Sequence, residues 1–515
     1  MIKQQNRAIY IMGKKGIIRN RYLIVILLLG ILMPLFSSRV SAQEENHKLT
    51  LQEAIAIARM QSPEALMAKH RYRASYWQYR SFKASYLPSL TLYATLPDFD
   101  RSIRTISTVE GEVFSPQTTN RIYGGLSLTQ RIGVTGGTLS LNSNLSRIDN
   151  IFENPDTTFT QFSSSLLNVT YRQPIFQYNE FRWEQKLEPL KYDEAKKQYI
   201  QDMEQVALTT TNYFFNLLEA QIQLKVAEIN QANYDTLYKI AVGRYNLGKI
   251  AENDLLQLEL QYLRANAALE QARLDIEDQL YRFKSFLRIQ DTSKIELEIP
   301  DNINHFMVPA EKAIAEARAN NAQSLSFARR LLEAQSAVAQ AKLNGRFDAE
   351  LFAVYGLTNN AGQLGDLNNN PLDQQQIQMG ITLPILDWGV AKGRIKMAES
   401  NQELVRTSVE QEQIDFDQQV FLKVAQFNMQ YNQVLIAAKA DTVAQKGYDI
   451  TKARYLIGKI TITDLNIAQA EANSSKGNYI SALRTYWRNY FDLRRLTLFD
   501  FERNRPLEVD YKGLL

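Results

Sequence analysis

The sequence predicts a mainly α chain with a β part, built as two copies of one elongated half. Three observations carry that expectation. The stretch 244–255 recurs at 454–465 with seven of twelve positions identical, an offset of 210. Apolar or small residues keep heptad spacing through segments of some 60 residues, the signature of long helices packed at a small angle. Between them lie runs of about ten residues that alternate apolar and polar with a period of two, the pattern of half-buried strands.

The N-terminal segment reads separately. Residues 1–42 hold seven bases (Lys3, Arg7, Lys14, Lys15, Arg19, Arg21, Arg39) and no acid. An apolar run over 22–36 follows the basic cluster, and small Val40 and Ala42 precede Gln43 at cleavage-site spacing. This layout predicts a cleaved signal peptide over 1–42. The 15-residue run is short of the roughly 20 residues that span a bilayer. The basic segment is long, so either Met1 or Met12 serves as the start. Cleavage turns 59 bases and 55 acids into 52 and 55, and the net charge from +4 to −3. The basic balance therefore belongs to export, and no nucleic-acid partner is expected.

The first repeat is placed at 43–300. It opens with a helix over 49–84, followed by strands and an extra hairpin over 86–176. Leu90, Leu92 and Leu96 mark one strand, and Leu167, Val169 and Tyr171 another. The extra hairpin joins 126–132 to 139–145 through a glycine-rich turn. Long helices are expected over 181–242 and 253–288, where Met203, Val206, Thr210, Tyr213 and Leu217 begin the heptad series. The second repeat, 301–501, has the same order. It runs as a helix over 309–345, strands over 347–386 and long helices over 389–452 and 463–498. A tail, 502–515, follows. The opening helices align at an offset of 259, so the first half carries about 49 extra residues before its long helices.

Gly248 and Gly458 fall where one long helix stops, and a glycine there permits the left-handed turn that ends a helix. Asp254 and Asp464 fall at the start of the next helix, where a carboxylate caps free N–H groups. Pro88, Pro174 and Pro384 fall at strand–helix junctions, because proline offers no ladder donor. Only strands could enter a membrane here, since no segment beyond residue 42 reaches 18 consecutive apolar residues. Four membrane-length strands per chain cannot close a barrel; three chains would share one of 12 strands.

Chemistry is not expected. The chain has no cysteine and only three histidines, which removes disulfides, thiolate nucleophiles and the usual metal ligands. The nucleophile elbow, the zinc-protease helix and the phosphate-binding loop are all absent from the sequence. No catalytic residue, cofactor or metal site is predicted.

The duplicated order, the Pro-Ile strand exits and the paired Arg-Tyr-x-x-Gly-Lys tips resemble the TolC-type outer-membrane efflux proteins. The resemblance covers nearly all of the chain after residue 48. It implies a homotrimer in the outer membrane of a Gram-negative bacterium, with one shared barrel and a periplasmic helical tube. It implies an exit duct for a tripartite efflux pump or type I secretion system. Its partners would be a periplasmic adaptor (membrane fusion) protein, an inner-membrane transporter of RND, ABC or MFS type, and outer-membrane lipid. It further implies a periplasmic gate, carried over to Asp254 and Tyr455 with their repeat counterparts Asp464 and Tyr245. An adaptor would dock at Gly248, Lys249, Gly458 and Lys459. The arginine that the family places two residues after the tip glycine is Ile460 here, a departure from the pattern. A different class, a secreted trimeric coiled-coil structural or adhesive protein, would explain the heptads and the export signal but not the duplicated strand pairs.

Overall fold

The long helices are continuous wherever the heptad series is continuous. In the computed structural model, which describes residues 48–109, 111–153, 156–290 and 295–515, eight α-helices alternate with a sheet. The signal peptide expected over 1–42 lies outside the described residues. Residues 50–515 form one unit. Its first half holds α1 (Leu51–Gln61), α2 (Pro63–Ser85), α3 (Glu180–Asn246) and α4 (Glu252–Leu287). Its second half holds α5 (Ala310–Asn320), α6 (Ala322–Asn344), α7 (Val390–Leu456) and α8 (Ile462–Thr497). The counterparts match in length, at 11, 23, 67 and 36 residues. At 1.5 Å per residue, α3 and α7 are each about 100 Å long. No helix of the described residues is long and apolar enough to cross a membrane.

The expected single helices over 49–84 and 309–345 are each two helices. Ser62 is extended at ψ 149° and buried; it closes α1 through its N–H to Ala58 O and caps α2 by accepting from the Ala65 N–H. Pro63 follows at the first helical position, where a missing N–H costs nothing. Asn321, 259 residues on, does the same work, accepting from the Gln323 N–H and donating Nδ2 to Leu496 O at 2.7 Å.

Six strands form one antiparallel meander in chain order. They are β1 (Ser89–Thr108), β2 (Gly111–Ile132), β3 (Gly137–Glu153), β4 (Asp156–Ile175), β5 (Asp348–Ala361) and β6 (Leu372–Thr382). Four of them, β1, β4, β5 and β6, contain the expected strands, and the extra hairpin, whose place the sequence left open, supplies the other two. Segments 126–132 and 139–145 belong to β2 and β3, which lie paired in the middle of the sheet between β1 and β4. The first four strands run 17 to 22 residues, beyond the apolar stretches that marked them, because their outer halves scatter single apolar residues such as Phe99, Ile103, Ile148 and Phe159 among polar and charged ones. The two halves of the chain meet at β4 and β5, where Tyr171 opposes Ala353 and Arg172 Nε reaches Glu350 Oε1 at 3.4 Å. A short pair, β7 (Phe499–Asp500) and β8 (Arg505–Pro506), ends the fold. The tail after it packs on α2 and α3, with Arg73 Nε donating to Leu514 O at 2.6 Å and Tyr511 set 5.4 Å from Tyr72 between ring centroids.

Candidate functional site: the two helix tips

The tips are built by the same local rule twice. At the end of α3, the Gly248 N–H donates to Tyr245 O at 2.8 Å and the Lys249 N–H to Arg244 O at 2.9 Å. At the end of α7, Gly458 donates to Tyr455 O at 2.9 Å and Lys459 to Arg454 O at 3.0 Å. Gly248 has φ +66° and Gly458 φ +74°, with nothing within 4 Å of where a Cβ would stand. These are glycine-terminated helix ends in the left-handed conformation. Space would allow a side chain at either glycine; the backbone conformation disfavours it.

The two following helices start differently. Thr461 and Asp464 form a full capping box: Thr461 N and Oγ1 donate to Asp464 Oδ2 at 3.1 and 2.8 Å, and Asp464 N donates to Thr461 Oγ1 at 3.2 Å. These hydrogen bonds hold the Asp464 carboxyl below its ordinary value. The aligned residue before α4 is Ala251, which has no side-chain cap to offer. The Asp254 carboxylate therefore makes no hydrogen bond or ion pair among the described residues, although its N–H donates to Ala251 O at 3.1 Å, and it lies near enough to Tyr455 to disfavour its phenolate. The repeat motif alone gave both aspartates one role. Comparison of Ala251 with Thr461 at the same offset separates them.

Below the tips the four long helices share a core. Tyr234, Leu237, Ala241, Leu258 and Ala265 from the first half pack with Tyr448, Ile462, Leu465 and Ala472 from the second. Tyr238 and Tyr262 stack at 5.7 Å beside it. Polar links cross between the halves: Tyr234 OH donates to Asn466 Oδ1 at 2.9 Å, Lys452 Nζ to Asn233 Oδ1 at 2.6 Å, and Asn233 Nδ2 to Tyr448 OH at 3.2 Å. Burial pushes the Tyr234 phenol up to about 12.

The structure brings some of the expected residues together. Tyr455 is half-buried against this core, and burial raises its phenol while nearby Arg244 opposes the rise. Arg244 Nη2 donates to Leu456 O at 2.7 Å, tying the first tip to the second, a link the sequence motif does not reveal. Tyr245 is exposed and lies outside that core, and Lys249 and Lys459 are exposed at the extremity. Ile460 lines a shallow groove with Arg454, Tyr448 and Ala468, so an apolar side chain stands where the family pattern has a cation. At the other end, Pro88 immediately precedes β1, Pro174 opposes Glu350 next to the end of β4, and Pro384 follows β6 by two residues.

A duplicated pair of 67-residue helices, capped by twin tips and joined by a membrane-length meander, defines a class: outer-membrane channels with a helical extension. The family model for outer membrane efflux proteins matches residues 54–287 and 313–497. The chain belongs to that family, and its place is the outer membrane of a Gram-negative bacterium, with the helices on the periplasmic side. It is 23% identical over 312 residues to outer membrane protein TolC of Salmonella enteritidis, a match covering 58% of this chain and 61% of that protein. The chain thus spans about three-fifths of the curated relatives it matches. The fold is similar to the Campylobacter jejuni CmeC outer membrane channel, with a TM-score of 0.64 at 16% identity, covering 91% of this chain and 88% of that one. It is also similar to the open-state MtrE channel of Neisseria gonorrhoeae, with a TM-score of 0.59 at 15% identity, covering 87% and 88%. The alternative of a surface coiled-coil adhesin finds no support in these matches.

Proposed function

We propose that this chain is the passive outer-membrane exit duct of a tripartite efflux pump or type I secretion system. Three copies share one barrel, each supplying a sector of its wall, and the helices hang beneath as a periplasmic tube. No chemistry is performed; an inner-membrane transporter supplies the energy and a periplasmic adaptor joins the two. The observation that carries this reading is the sheet. Its one apolar face stays exposed, with Leu92 74%, Ile377 82% and Ile381 65% accessible, and it sits at the end of helices about 100 Å long.

Gly248, Lys249, Gly458 and Lys459 form the adaptor-docking tip. Asp254 and Tyr455 act at the gate, with Tyr245 exposed at the first tip, while Asp464 is committed to its helix cap. With Ile460 in place of a cation, the closed tip depends on the Arg244 link and on packing. A photo-crosslinking residue placed at Lys459 in cells tests this. Capture of a periplasmic adaptor, together with loss of export in a strain lacking the chain, is expected. Normal export in that strain would end the reading.

A further inference from the structure

The hairpin β2–β3 is the feature the duct reading does not absorb. Its side-chain alternation is in register with every other strand. On one face, Leu92 opposes Leu126, Leu128 opposes Leu141, Leu141 opposes Val169, Tyr171 opposes Ala353, and Ala353 opposes Ile377. This apolar band therefore crosses all six strands without a break. The other face is polar through the hairpin as well. Ser127 Oγ donates to Asn142 Oδ1 at 2.6 Å, Asn142 Nδ2 to Thr170 Oγ1 at 3.4 Å, and the Thr129 and Ser140 hydroxyls are 3.2 Å apart.

The turn of the hairpin is anchored at the strand–helix junction. Asn179 caps α3 with its Oδ1 and donates Nδ2 to Gly133 O at 3.1 Å. Gln173 Nε2 donates to Thr135 O at 2.8 Å, and Gln130 Nε2 to Tyr86 O at 2.7 Å. The turn thus lies at the same end of the sheet as Pro88 and Pro174, and the hairpin runs the full height of the apolar band. Among the described residues β1 pairs only with β2 and β6 only with β5, leaving both outer edges open. Leu90 and Leu92 on one edge share the apolar face with Ile377 and Met379 on the other. An open edge of this kind is a template for another strand.

We propose that β2–β3 is part of the transmembrane wall, so that each subunit supplies six strands and β6 of one copy pairs with β1 of the next. This rests on the trimeric duct reading. Three copies then close a barrel of 18 strands in place of the 12 expected from four per chain. Barrel diameter grows roughly linearly with strand number, so the membrane section is roughly half again as wide. Ser127, Thr129, Ser140 and Asn142 then line the export path, and Leu126, Leu128 and Leu141 face lipid.

The cysteine-free chain allows a direct test by single substitutions, each labelled with an environment-sensitive fluorophore in reconstituted full-length protein. Leu128→Cys and Leu141→Cys are expected to be quenched by brominated lipid, and Thr129→Cys and Ser140→Cys by aqueous iodide. Met379→Cys and Gln378→Cys in β6 serve as the reference pair. If the β6 pair alternates and the hairpin sites respond only to iodide, the hairpin lies outside the wall and the proposal falls while the duct reading stands. If the β6 pair also ignores lipid, the duct reading itself falls. Electron cryomicroscopy of the unsubstituted trimer gives an independent count: 18 strands in cross-section is expected, and 12 overturns the proposal.

Discussion

Removing the carboxylate of Glu204 is the sharpest perturbation the helical part offers. Its side chain is 4% exposed and joins three segments distant in sequence. Arg59 Nη2 on α1 donates to Glu204 Oε1 at 2.7 Å, and Arg494 Nε on α8 to Glu204 Oε2 at 3.0 Å. Arg494 Nη1 continues to Asp500 Oδ2 at 3.0 Å, so β7 is held by the same guanidinium. Burial opposes the charge on Arg494, but the Glu204 carboxylate outweighs it and the group titrates above its ordinary value. Glu204→Ala leaves two guanidinium groups facing a hole. Removing one partner of a buried ion pair costs about 3–5 kcal/mol, which is about a 10²- to 10⁴-fold change in the folding equilibrium. Urea denaturation followed by far-ultraviolet circular dichroism reads that loss as a lower midpoint at unchanged slope. A double-mutant cycle with Arg494→Met is expected to return a coupling of about 1–3 kcal/mol. A Glu204→Ala variant within about 1 kcal/mol of the parent, or a coupling near zero, refutes the clamp.

The tips give four further expectations. Gly458→Glu is expected to abolish export in a susceptibility assay while the trimer still assembles, and Gly458→Ala, which carries the same left-handed strain of about 1–2 kcal/mol, retains most of it; normal export by the glutamate variant removes the docking assignment. Thr461→Ala breaks the capping box and is expected to cost about 1 kcal/mol, read as faster amide hydrogen exchange at the start of α8 with no change at the start of α4. The Asp464 carboxyl is lowered in the folded state, so its contribution is present above the ordinary value of 3.8 and is lost as pH falls through the lowered one. Acid titration of the parent therefore loosens the start of α8, and Asp464→Ala abolishes that pH dependence. Leu465 is wholly buried, so Leu465→Ala is expected to cost about 2–5 kcal/mol, whereas its half-buried counterpart Leu255 costs less; equal losses in thermal melts contradict the asymmetric core.

Much of this molecule is written in its sequence because it is written twice. The offset of 210 in the tip motifs recurs at both ends of α3 and α7 and of α4 and α8. The offset of 259 recurs at α1 and α5 and at α2 and α6. Much of the difference between those offsets is the hairpin, and its alternation was legible; its place inside the sheet was not, because pairing partners are set by distant strands. The breaks at Ser62 and Asn321 escaped because apolar spacing continues through them, although Ser-Pro is a cap signal. At the candidate site the repeat concealed a difference. Asp254 and Asp464 look equivalent until the residue three positions earlier is read, and the Arg244 link to a backbone carbonyl has no sequence signature. Strand lengths were underread for a simpler reason: the outer halves of β1 to β4 carry scattered apolar residues such as Phe99, Ile103 and Phe159 but no sustained apolar–polar alternation.

The central claim is that the folded chain is an open-ended conduit through the outer membrane. Single-channel recording of the purified full-length trimer in a planar bilayer tests it most directly. The account predicts discrete conductance steps of one size, one per inserted trimer, rising severalfold when Asp254→Ala and Tyr455→Phe are combined at the tip. Correctly folded trimer that inserts into the bilayer and passes no current, with or without those substitutions, would contradict it.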